Sequence, residues 1–140
     1  MDWLSRLAIT PDLELQLTEL VLPHQANHYG TLFGPNALAL LGKAAYLAAA
    51  RCTRQSVVMA GSRQIDFLAP VPVGALLHLH ARVSRVGTTS LTVDVRAVMD
   101  AAPGTRATEV LRGGFEMVAV DDLGRPTPLL RATAQLEATL

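Results

Sequence analysis

The sequence predicts an α+β domain in which an antiparallel sheet wraps around one long apolar helix. Three observations lead there. A short alternating segment comes first, an apolar helical stretch follows, and four β-prone segments joined mostly by short turns complete the order. Short turns suit antiparallel neighbours, because a parallel pair needs a long crossover between its strands.

The first strand is read from Leu13, Leu15 and Leu17 alternating with Glu14, Gln16 and Thr18, the period of a strand with one buried face. Pro23 ends it, and His24 to Phe33 (HQANHYGTLF) is a polar, glycine-containing loop. The helix is expected to begin near Gly34, since Pro35 suits the first helical position, and to run to about Arg51. Its interior is apolar nearly all round, with polar atoms only on Lys43 and Tyr46, so most of its surface must be covered. The cover comes from Ser56 to Leu68, Leu76 to Val86, Ser90 to Met99 and Thr108 to Val120. Gly87-Thr88-Thr89 and Asp100 to Gly104 are breaks short enough for hairpins. Residues 1–140 are expected to form one domain with its core over about 11–120, and the tail from Pro126 to Leu140 to be weakly held.

Composition narrows the function. Half of the 140 residues are hydrophobic and the formal net charge is zero with a pI near 6.9, so no field draws nucleic acid or an acidic membrane surface. Cys52 is the only cysteine, which excludes an intrachain disulfide and a cysteine zinc cluster and fits a reducing cytoplasm. Met1 to Pro11 lacks the basic region and long apolar run of a secretion signal, and Ala37 to Ala50 is too short to span a bilayer. His78 and His80 share one strand face, but with no carboxylate or cysteine close in sequence they predict no metal.

Before the helix the chain reads P-H-Q-A-N-H-Y-G-T-L-F-G, from Pro23 to Gly34. Phe67-Leu68-Ala69-Pro70-Val71, Val73-Gly74 and Gly87-Thr88-Thr89-Ser90 follow in order. Together these resemble the signature of acyl-CoA hydrolases of the hot-dog fold, over roughly residues 11–120. The resemblance implies hydrolysis of acyl-CoA thioesters with no separate cofactor, coenzyme A being part of the substrate. It also implies a homodimer whose sheets join edge to edge, with sites between subunits and often a higher assembly of dimers. Open sheet edges and an apolar helix independently favour a partner.

Thioester hydrolysis needs a water, a group to polarise it, and donors for the developing oxyanion. Backbone N–H groups near Phe33, Gly34 and Asn36 stand at the positive end of the helix dipole; Pro35 has none to give. Asn27 matches the family's asparagine, which orients a water or holds the carbonyl; the surrounding match favours that role over the alternative of an Asx-turn with its own loop backbone. Gly30 and Gly34 are read both as turn residues and as places of close substrate approach, beside Thr31.

One departure stands out. The family's helix aspartate, counted from Gly34, falls on Gly42, where a glycine costs about 1 kcal/mol relative to alanine. His28 is the leading replacement base, because imidazole titrates near neutral pH; His24 and Thr31 are weaker candidates. Asp66 is a further candidate for substrate contact, against the reading of an ordinary strand aspartate. The competing function is a hot-dog protein that binds acyl-CoA or an acyl carrier without turnover. A hydratase is disfavoured, since no aspartate and histidine pair stands at short helical spacing.

Overall fold

The computed structural model describes residues 13–100 and 106–130. Strand β1 spans Glu14–Leu20, a 3₁₀ turn Pro23–Gln25, and helix α1 Gly34–Thr53. Then come β2 (Val57–Phe67), β3 (Leu76–Val86), β4 (Ser90–Met99) and β5 (Thr108–Ala119). The expected elements are all present, with α1 two residues longer than anticipated. It ends where Arg54 turns left-handed (φ 55°) and donates its N–H to the Ala50 carbonyl.

The strands form one antiparallel sheet in the order β1-β3-β4-β5-β2. The two hairpins read from the turns are its centre, whereas the placement of β1 and β2 at opposite edges was not legible. Cross-strand rows run beneath the helix. Leu17, Leu79, Ala97, Leu111 and Phe67 make one such row, and Leu91, Met117 and Met59 another. Ala44, Ala45 and Ala49 are fully buried against them, because a methyl side chain lets the helix backbone approach the sheet closely. Leu41, Leu77, Val83, Val93 and Phe115 fill the remaining space. Lys43 reaches Glu19 and ties α1 to β1.

The cover is incomplete on one side. Leu38 and Tyr46 on α1, with Met59 on β2, remain substantially exposed, and among the described residues β2 has no neighbour on its outer edge. β2 is also irregular, with register shifts between Met59 and Gly61 and between Arg63 and Asp66, and Gln64 at φ 52°. Gly113 accommodates the second shift, since a Cβ there would collide with Ile65 Cδ1.

The chain after β5 is held more firmly than expected as far as Leu130. Leu129 is buried, its N–H donates to the Thr88 carbonyl, and Gln55 bonds both Pro128 and Leu130. The expectations for residues 1–12, for residues 101–105 of the last hairpin break and for residues 131–140 lie outside the described residues.

On the sheet face away from the helix, Glu116 clasps three elements. Thr92 Oγ1 donates to its Oε1 at 2.7 Å, Arg85 to its Oε2 at 2.9 Å, and Arg63 lies 3.2 Å away. Burial pushes the pKa of this carboxyl up, but those hydrogen bonds and the two guanidinium charges outweigh it and hold the pKa below the usual carboxylate range. A depressed folded pKa contributes stability above the unfolded value, lost as the pH falls through the folded one. We expect Glu116→Gln to flatten the acid limb of stability against pH in urea titrations; an unchanged limb would show the clasp to be inert.

Candidate active site

The start of α1 is braced by the loop before it. Phe33 N–H donates to the Gln25 carbonyl at 2.9 Å, and Asn36 Nδ2 donates to the same oxygen at 3.0 Å. Gln25 is itself fixed by its Oε1, which accepts from Leu22 N–H at 2.9 Å. The loop lies along the segment after β2. Leu32 N–H donates to Val71, Val73 N–H donates to Gly30, and Thr31 bridges to Pro72.

This bracing leaves two donors open. Ala37 N–H makes the first helical bond, to Phe33, and Pro35 has no N–H. No side chain caps the helix, and neither Gly34 N–H nor Asn36 N–H has a hydrogen-bond partner among the described residues. Both stand at the positive end of a 20-residue helix with no acidic residue in its first turn. Beside them opens a cavity of about 320 Å³ lined by Leu32, Gly34, Ala37, Leu111 and the Phe67 to Val71 segment. No titratable side chain lines it. The arrangement suits an apolar group ending in a carbonyl whose oxygen takes the two N–H groups.

The expected site residues separate into those at this cavity and those elsewhere. Of these, Gly34 lines it; Asn36 and Phe33 do not, Asn36 keeping an open backbone N–H in the same helix turn and Phe33 having a half-exposed ring but no donor, which corrects the reading of its N–H as open. Asn27 braces the loop. Its Oδ1 accepts from Tyr29 N–H at 3.0 Å and Thr31 N–H at 3.2 Å, and its Nδ2 donates to Thr31 Oγ1 at 3.0 Å. That is the Asx-turn alternative, and it engages Thr31 as well. His28 is exposed at the loop tip, with its ring against Tyr29 at 3.9 Å between centroids. Gly30 needs its glycine for a φ of 80°, whereas Gly34 has no positive φ and a Cβ there would meet nothing within 4 Å.

Asp66 is not brought to the cavity. The pleat turns Phe67 and Leu111 toward the helix and Asp66 and Arg112 to the opposite face, where they pair at 3.0 Å. The two strand histidines also face away from the helix. Both ring nitrogens of His78 are engaged, one by Thr18 at 2.9 Å and one by Asp100 at 2.7 Å, and His80 lies 3.5 Å from Glu14. Sequence reading missed the cavity wall of Leu32, Ala37, Leu68 and Leu111, whose apolar character looked like ordinary core.

A single helix cradled by a five-stranded antiparallel sheet of this order defines a hot-dog domain. The pattern of the Thioesterase superfamily matches residues 29–101, and the chain belongs to that family. An uncharacterized acyl-CoA thioester hydrolase of Zymomonas mobilis is 33% identical over 84% of this chain and 79% of its own length. An acyl-CoA hydrolase of Staphylococcus aureus, solved with butyryl coenzyme A, coenzyme A and coenzyme A disulfide, superposes with a TM-score of 0.80. It is 25% identical, over 94% of this chain and 88% of that one. The same hydrolase has been solved with alanine replacing an aspartate and, in another variant, a threonine seventeen positions later. A hexameric acyl-CoA thioesterase in its apo form superposes with a TM-score of 0.78 at 32% identity, over 89% of this chain and 82% of that one.

The two glycines of the loop and helix start therefore have different roles to test. Gly30→Ala forces a side chain into the left-handed region and is expected to lose about 1–2 kcal/mol of stability. Gly34→Ala is expected to lose none. Urea unfolding at one protein concentration compares them, and equal losses would contradict the backbone assignments.

Proposed function

We propose that this protein hydrolyses acyl-CoA thioesters to free acid and coenzyme A. The observation that carries the reading is the open N–H of Gly34, which lines an apolar cavity, with that of Asn36 two residues further into the same helix turn. The family and the acyl-CoA hydrolases among its relatives support the same reaction. The acyl chain enters the cavity and the thioester oxygen takes the two donors. Water attacks the carbonyl carbon, the tetrahedral oxyanion is held by the helix N-terminus, and the C–S bond breaks to release the coenzyme A thiol. Each oxyanion donor is worth about 10²–10³ in kcat where such donors have been removed singly.

The exposed flank formed by Leu38, Tyr46 and Met59, together with the edge of β2 left unpaired among the described residues, is the surface a second copy covers. Edge-to-edge joining of two sheets brings the loop of one copy toward the helix of the other. Within that shared site His28 is the general base and Asn27 holds the loop in shape, so that position 42 needs no carboxylate. Sedimentation at micromolar concentration is expected to give a dimer or a multiple of it; a folded monomer would remove the shared site.

The second reading, binding without turnover, is favoured by the absence of any titratable side chain lining the cavity. A panel of CoA thioesters assayed by free-thiol release separates the two. We expect turnover in the wild type and a fall of roughly 10²-fold in kcat for His28→Ala. A melting-temperature rise with CoA esters but no thiol release would select the binding protein, and neither signal would remove both readings.

A further inference from the structure

Gly42 sits in the interior of α1 and is buried, yet a Cβ built on it would lie 3.0 Å from Cε of Met59. Met59 stands opposite Met117, which is wholly buried beneath the helix, so the pleat aims its side chain at α1. Gly42 and Met59 are seventeen positions apart, the interval between the aspartate and the threonine altered in the Staphylococcus aureus hydrolase. The aspartate of the family pattern, counted from Gly34, also falls on Gly42. The glycine that departs from that pattern thus meets in space the methionine seventeen positions on.

We infer that Met59 is a specificity-determining residue that closes the helix flank to a carboxylate at position 42. The inference rests on the thioesterase reading above and concerns the same site. The thioether methyl stands 3.0 Å from where a Cβ at position 42 would lie, so it must give way before a longer side chain can enter. A carboxylate placed against it would lose water and gain no donor in return, which disfavours its charged, proton-accepting form. Threonine at 59 is shorter and carries a hydroxyl able to donate to that carboxylate. The flank is therefore apolar as a pair, and neither member changes its chemistry alone. Where both are changed, the carboxylate removes a proton from water, the water oxygen bonds to the carbonyl carbon, and the C–S bond breaks. The proton then passes to the departing thiolate.

The test compares wild type, Gly42→Asp, Met59→Thr and the double variant on one CoA ester chosen because it raises the melting temperature of the wild type. We expect Gly42→Asp to lower the melting temperature without raising kcat. The double variant is expected to recover stability and to exceed either single variant in kcat by about tenfold or more. A gain in Gly42→Asp alone equal to that of the double variant overturns the inference, as does no gain in the double variant. Stability alone gives a second readout if Gly42→Asp does not fold. Gly42→Ala is expected to raise the melting temperature more in a Met59→Ala background than in the wild type, and equal shifts in the two backgrounds overturn the inference. A wild type that binds no CoA ester removes the underlying reading instead, while this stability coupling still reports on the contact.

Discussion

The close approach of α1 to its sheet is the contact on which the rest of the molecule depends. Fully buried Ala44, Ala45 and Ala49 share one core with Leu77, Leu79, Val93, Val95 and Met117, and their small side chains let the helix backbone lie close to the sheet. Larger side chains along that stripe would lift the helix and open the core, since interiors tolerate little change in volume. The position of the helix then sets the position of its N-terminus, beside the Phe67 to Val71 segment that leaves the end of β2. A polar site is thereby held by an apolar contact.

The loop completes what the helix begins. Asn27 and Gln25 engage their side chains with neighbouring backbone, and the Gln25 carbonyl takes both Phe33 N–H and Asn36 Nδ2. A side-chain cap would close the remaining orphan donors of a helix start. Here the N-cap residue is Phe33, whose side chain has no oxygen to offer, so Gly34 and Asn36 keep N–H groups without partners among the described residues. The same local chemistry that fixes the loop thus leaves the donors free.

Electrostatics on the two sides of the sheet are sharply different. The face away from the helix carries paired charges, among them Glu116 with Arg85 and Arg63 and Asp66 with Arg112, beside the hydrogen-bonded His78 and Asp100. The cavity at the helix start has none. With few competing dipoles nearby, the helix end is the dominant fixed partial charge at the cavity mouth, and it favours a developing negative oxygen.

Sequence alone determined the fold class, because strand alternation in Leu13 to Leu17, the apolar run of α1 and the short turns each report a local constraint. It also marked the loop and helix start, where Pro35 and the glycines announce their backbone requirements. Which donors are open was decided by tertiary structure, since only the folded loop engages Phe33 N–H and leaves Gly34 and Asn36 unpartnered. The same holds for Asp66, which the pleat sends to the far face, and for Met59, whose contact with Gly42 joins an edge strand to a helix. Alternation can assign each residue to a side of its own strand. The strand order that sets β2 at the edge, and the bulges that shift its register, arise from packing across the whole chain.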